Sequence, residues 1–249
     1  MFDLERLVRP NIRRLQPYRS ARSEFSGQAR IWLDANENPY DNGLNRYPDP
    51  LQRELKLALA GIKNLPPESI FLGNGSDEAI DLLIRAFCEP GRDKILIMPP
   101  TYDMYAVSAA INNVAVVQVP LDRDFGIDRQ KLLPFLEDPL LKLVFICSPN
   151  NPTGNLPDRR EILEIAMKFN GLVVLDEAYQ DFATADSLAM ELERHPNLVV
   201  LQTFSKARAL AGARLGMAFA QPAVIDLLNR IKPPYNINQL TQKAALDCL

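Results

Sequence analysis

The 249-residue chain is 47% hydrophobic and 24% charged, and its 28 Lys+Arg against 31 Asp+Glu leave a net charge of −3. That composition suits a globular chain with a sizeable core and excludes disorder, while the missing basic excess argues against a nucleic-acid backbone as partner. No apolar run approaches the roughly 18 residues of a membrane span, and Met1-Phe2-Asp3-Leu4-Glu5-Arg6 lacks the apolar stretch of a signal peptide.

Residues 1–50 are rich in Pro, Asn and Arg, with a helix expected over 4–15. From about residue 70, apolar strips alternate with amphipathic helices. The strips fall at 70–72, 95–98, 114–119, 141–147, 172–175, 198–201 and 215–219. Most are apolar throughout, as expected of strands covered on both faces. Between them, Ile80, Leu83, Ile84 and Phe87 take the i, i+3, i+4, i+7 spacing, as do Ile162, Ile165, Ala166 and Phe169. Each set predicts a helix with one buried stripe. The alternation predicts an α/β fold of three layers, αβα, around a mostly parallel, doubly wound sheet. Residues 236–249 read as a helix after Pro233-Pro234, and the chain stops there with neither C-cap glycine nor polar tail. It is expected to be cut inside an element.

Three cysteines, Cys88, Cys147 and Cys248, imply no disulfide framework and fit cytosolic usage. The single histidine, His195, sits before Pro196 in a polar stretch and reads as a solvated loop residue. Zinc sites of the His/Cys type are not expected. Chemistry should then come from lysine, carboxylates, phenols or a cofactor.

In an open α/β sheet, ligands bind outside the carboxyl ends of the strands, so the residues just after each strip matter most. After the first strip comes Gly73-Asn74-Gly75-Ser76-Asp77-Glu78, an ordinary loop into a helix or a phosphate cradle of backbone amides. It matches only the first half of the dinucleotide fingerprint, so a nucleotide-binding Rossmann reading rests on little. After the second comes Pro99-Pro100-Thr101-Tyr102, a turn with a half-buried tyrosine. Ser148-Pro149-Asn150-Asn151-Pro152-Thr153-Gly154 succeeds the fourth, with good turn chemistry whatever its role. Asp176-Glu177-Ala178-Tyr179 succeeds the fifth, and Gln202-Thr203-Phe204-Ser205-Lys206 the sixth, with Arg214 eight residues on. An acid directly after Leu172-Val173-Val174-Leu175 should be buried, and a lysine after an apolar strand partly desolvated and nucleophilic. The two either pair with each other or serve a ligand on a shared rim.

Pyridoxal 5'-phosphate (PLP) uses these parts together: a lysine for covalent attachment, an acid at the ring nitrogen and a phosphate cup. The chain resembles the fold-type-I PLP-dependent aminotransferases through Asn151-Pro152-Thr153-Gly154, Asp176-Glu177-Ala178-Tyr179 and Ser205-Lys206 with Arg214 beyond them. Within that group it resembles the histidinol-phosphate aminotransferases. The narrower motifs are Pro17-Tyr18-Arg19-Ser20-Ala21-Arg22, Leu33-Asp34-Ala35-Asn36-Glu37-Asn38-Pro39 and Asn45-Arg46-Tyr47-Pro48, then Leu83 to Gly91 and Pro99 to Tyr105. The match runs nearly end to end.

The resemblance implies transamination between L-histidinol phosphate and 2-oxoglutarate, in histidine biosynthesis, by a cytoplasmic homodimer. Lys206, Asp176 and Tyr179 would be catalytic. Gly75, Ser76, Asp77, Ser205 and Arg214 would hold the phosphate, Tyr102 would stack on the ring, and Asn151 and Tyr179 would bond its phenolic oxygen. Tyr47 would reach the partner subunit's phosphate, while Tyr18 and Asn151 would face substrate. No metal is implied. Residues 1–45 would form an arm and 46–249 the cofactor-binding large domain, with the family's smaller C-terminal domain absent. An aromatic or broad-range aminotransferase, a phosphothreonine decarboxylase, and a truncated module that only binds PLP or dimerises are the alternatives.

Overall fold

The computed structural model describes residues 2–18, 27 and 29–249. Among them, seven strands build one sheet: β1 (Ile70–Asn74), β2 (Lys94–Ile97), β3 (Ala115–Gln118), β4 (Leu141–Cys147), β5 (Leu172–Asp176), β6 (Leu198–Thr203) and β7 (Leu215–Phe219). Their order is β1-β7-β6-β5-β4-β2-β3. The pairs from β6 across to β3 are parallel, while β7 runs antiparallel to both β6 and β1. Each predicted strip falls on a strand, and the sheet is mostly parallel as expected.

The helices are α1 (Leu4–Leu7), α2 (Pro10–Arg13), α3 (Arg53–Lys63), α4 (Gly75–Phe87), α5 (Met104–Ile111), α6 (Arg129–Leu132), α7 (Arg159–Lys168), α8 (Pro222–Ile231) and α9 (Gln239–Cys248). Side chains alternate across the sheet, as a period of two requires. Val173 and Leu175 of β5 join a cluster with Leu55 and Leu59 of α3 and Ile162 and Ile165 of α7. Leu172 and Val174 face the other way, onto Ile80, Leu83 and Phe87 of α4, Ala109 of α5 and Val224 of α8. Helices thus cover both faces, which is the three-layer arrangement. Full burial of a large aliphatic or aromatic side chain is worth roughly 1.5–3 kcal/mol. The set that α4 buries therefore anchors that helix far more firmly than its own propensity could.

Two expectations need correction. The helix expected over 4–15 is two short ones. Asp3 caps α1 by accepting the Glu5 and Arg6 amides, but Pro10 has no N–H to donate and holds Arg9 extended, so the chain stops at Val8 and restarts at Pro10. The third strip is not covered on both faces either. β3 is the sheet edge, its Ala115 and Gln118 exposed and its valines only half-buried. The C-terminal helix begins at Gln239, where Asn238 caps it by accepting the Thr241 amide.

Candidate active site

The parallel strands β4, β5 and β6 end at one rim. Because β7 is reversed, its start returns to that same rim, so residues 204–214 form a hairpin loop there. A cleft opens between these strand ends and the N-terminus of α4. Gly75, Ser76, Asp77, Tyr102, Asn151, Asp176, Tyr179, Ser205, Lys206 and Arg214, each named from sequence, all line it.

One end of the cleft suits an anion. Asn74, ahead of α4, gives the helix no side-chain cap; its amide side chain donates instead to the Asn236 carbonyl (2.8 Å) and to Glu78 Oε2 (3.1 Å). The first amides of α4 thus lack a capping side chain, at the positive end of a 13-residue helix. Gly75 has φ +73°, and its N–H donates to the Arg214 carbonyl at 2.9 Å. A Cβ on Gly75 would lie 2.7 Å from Arg214 Nη2, and one on Gly216 only 2.1 Å from the Ser76 nitrogen. The α4 start and β7 therefore touch as only glycines permit. Arg214 Nη1 donates to Ser205 Oγ at 3.5 Å, and Nη2 lies 3.6 Å from Asp77 Oδ2.

The other end is an acid wall. Asp176 closes β5 and is 2% exposed. Tyr105 Oη donates to its Oδ2 at 2.6 Å, and the Ala178 N–H to its Oδ1 at 3.0 Å. Burial pushes the Asp176 carboxyl above its usual range; these two hydrogen bonds, and Lys206 more weakly, pull it back, while Asp77 adds to the rise. Cys147 stands beside Asp176 in the β4–β5 register, and burial, then Asp176, push its thiol up to about 12. Tyr102 Oη donates to Asp77 Oδ1 at 3.1 Å. Burial, and after it Asp77, pushes that phenol up to about 12.

Lys206 corrects an expectation. It is exposed, not desolvated, because β6 ends at Thr203 and the chain has turned into the hairpin loop before reaching it. Its Nζ sits 5.4 Å from the centroid of the Tyr179 ring. Nor do Asp176 and Lys206 pair directly: both Asp176 oxygens already hold Tyr105 and Ala178. Tyr47 and Tyr18 lie outside this cleft. Tyr47 stacks on Tyr235 with centroids 4.5 Å apart, and Tyr18 is exposed. Arg19, Ser20, Ala21 and Arg22 of its motif lie outside the described residues.

Sequence reasoning missed the groups that brace the site. Tyr105 is one, a buried residue of α5 whose partner, Asp176, lies far off in the chain. Glu177 is another, buried and accepting from Ser187 Oγ (2.5 Å), the Leu188 amide (2.8 Å) and Gln202 Nε2 (2.9 Å), which ties the 176–179 turn to β6 and the 187–188 segment. Cys147 and Thr203 also line the cleft.

The donor set fits PLP: capless amides, a hydroxyl and a guanidinium at one end, a buried acid at the other, an amine and two phenols between. Comparisons agree. The family model for class I and II aminotransferases matches residues 24–249. A histidinol-phosphate aminotransferase of Cytophaga hutchinsonii is 54% identical over the whole chain, which spans 72% of that relative. One of Bacteroides fragilis is 56% identical with the same coverage. The solved histidinol-phosphate aminotransferase of Sinorhizobium meliloti, in complex with pyridoxal-5'-phosphate, superposes with a TM-score of 0.76 at 28% identity, over 82% of this chain and 56% of that one. The chain thus spans under two thirds of that solved relative's length.

Proposed function

The chain belongs to the class I and II aminotransferases, and among them to the histidinol-phosphate aminotransferases, and on that premise we propose that its cleft serves transamination between L-histidinol phosphate and 2-oxoglutarate. When bound, PLP supplies an aldehyde that condenses with amines and a ring that absorbs the electrons released at the substrate's Cα. The protein does the rest. The Ser76 and Asp77 amides, the Ser205 hydroxyl and Arg214 bind the phosphate. The Asp176 carboxylate holds a proton on the ring nitrogen, where it stabilises charge developing in the transition state. Tyr102 would stack on the ring, and Asn151 and Tyr179 would donate to its phenolic oxygen. Lys206 would hold the cofactor through its amine, and that amine would be the base that carries the proton between Cα and C4′. An exposed lysine is free to swing between those two positions.

The observation that carries this reading is that Asp176 and Lys206 line one cleft that ends on the bare start of α4. We further propose a cytoplasmic homodimer in which Tyr47 reaches the partner's phosphate and Tyr18 borders substrate. Supporting it, Ile31, Leu33, Tyr40, Leu44 and Tyr47 leave a run of large apolar side chains exposed. No helix among the described residues is long and apolar enough to cross a membrane. Residues 1–45 would then be the arm and 46–249 the large domain.

The test is borohydride reduction of the PLP-loaded protein, peptide mapping, and assay with histidinol phosphate against phenylalanine and tyrosine. A pyridoxyl mass on Lys206 with turnover of histidinol phosphate is expected. Label on another lysine ends the cofactor assignment, and turnover of the aromatic amino acids alone moves the substrate to an aromatic aminotransferase.

A further inference from the structure

Tyr105 lies outside the machinery just described: it does not line the cleft, and it is fully buried. Its ring stacks on Phe145 (centroids 4.8 Å apart, planes 17° apart) and meets the Tyr102 ring edge-on at 5.6 Å. Both neighbours fix its position, since aromatic pairs favour these offset and edge-on arrangements. Its hydroxyl donates to Asp176 Oδ2 at 2.6 Å, at the short end for a phenol on a carboxylate, and has the Cys147 thiol as a second, neutral neighbour.

We propose that Tyr105 is a positioning residue for the transamination: it locks the Asp176 carboxylate in one plane and keeps it an anion, and through it keeps the cofactor's ring nitrogen protonated. This rests on the reading of Asp176 above. The physical case is one of competing effects. At 2% exposure Asp176 has lost nearly all its water, and an isolated buried carboxylate takes up a proton rather than stay charged. Before any ligand binds, three groups oppose that: the Tyr105 hydroxyl, the Ala178 amide and, more weakly, Lys206 from the hairpin loop. Asp77 at the start of α4 works the other way, and Cys147 and Tyr102 face the acid as neutral groups. A neutral Asp176 could not serve as counter-ion to a ring N–H. The phenol cannot become the competing anion, because burial and the adjacent Asp176 hold it protonated, well above the ordinary tyrosine range. It is therefore a permanent donor. The same ring buttresses Tyr102 edge-on, so one residue supports both the acid and the stacking phenol.

The experiment is Tyr105→Phe, which keeps the ring and its stacking and removes only the hydroxyl. In the cofactor-free protein, the Asp176 carboxyl is tracked by ¹³C NMR of aspartate-labelled material, assigned by its loss in Asp176→Asn. Its titration is expected to move upward in Y105F. In the PLP-loaded enzyme, kcat is expected to fall about tenfold with KM nearly unchanged, matching the loss of one charge-assisted hydrogen bond. Labelling the unmutated protein with 3-fluorotyrosine, a stronger donor, should move the Asp176 titration downward and covers the case in which Y105F does not fold. An unmoved titration in both samples overturns the proposal, as does a Y105F enzyme with wild-type kcat. If Lys206 carries no pyridoxyl label in the unmutated protein, it is the functional reading that falls, whereas the carboxyl titration still decides whether Tyr105 governs Asp176.

Discussion

The two walls of the cleft are built on opposite principles. The acid wall continues the central strands: Asp176 is the last residue of β5, buried, with both oxygens held at 3.0 Å or less. The amine wall is a loop: Lys206 is exposed, and Arg214, half-exposed, makes contacts of 3.4–3.6 Å. A charge that must stay put is placed in the packed core, and charges that must move or clasp a ligand are placed where solvent reaches them. Preorganisation and mobility are thus divided between strand and hairpin.

The largest effect that would test this division is Lys206→Ala. Turnover should fall at least about a thousandfold and the borohydride label should vanish, while thermal stability stays within about 0.5 kcal/mol, because an exposed loop residue contributes little to folding. A large loss of stability would break the comparison.

Asp176→Asn should do the reverse for stability. Turnover is expected to drop about a hundredfold or more, with some PLP binding retained. The sign for folding comes from the raised carboxyl. Between the unfolded value near 3.8 and the higher native one, the native state binds more protons, so stability is fully present below that interval and declines as pH rises through it. At pH 7 the cofactor-free D176N protein should therefore melt higher than the parent, by an amount on the order of 1 kcal/mol, and melting curves against pH should lose part of their slope. A lower melting point at pH 7 would mean that the acid stabilises its own strand.

Gly216→Ala probes the junction between the walls. Its new methyl meets the Ser76 and Gly75 backbone, so a loss of about 1–3 kcal/mol is expected, with PLP affinity falling more than affinity for phosphate-free pyridoxal. Arg214→Gln should cost least, about tenfold in PLP affinity, again with pyridoxal little changed. Equal losses for both ligands in either variant would show that the cup is not where phosphate sits.

The acid wall was legible in sequence for the same reason that it is rigid. An unbroken apolar run such as Leu172-Val173-Val174-Leu175 reads directly as a buried strand, and the next residue inherits that burial. The same logic failed at Lys206, because nothing in 198–206 marks β6 as ending at Thr203, where the chain turns to meet a reversed strand. Tyr105 was illegible for a different cause. Its partner lies 71 residues away and is brought close only when α5 packs on the sheet. The exposed edge β3 and the break at Pro10 show the local counterpart: composition identifies the element, while neighbours and a missing N–H decide its limits.

The reversal of β7 has one more consequence. Were β7 parallel to β6, the connection would have to cross over and would leave Arg214, just ahead of β7, at the opposite end of the sheet from Lys206; here one hairpin brings both side chains to the same rim. Their fates are therefore shared. An excursion that unzips β6 from β7 strips the cavity of its amine and its guanidinium together, while the aspartate keeps its phenol and amide partners and loses only the weaker pull of Lys206.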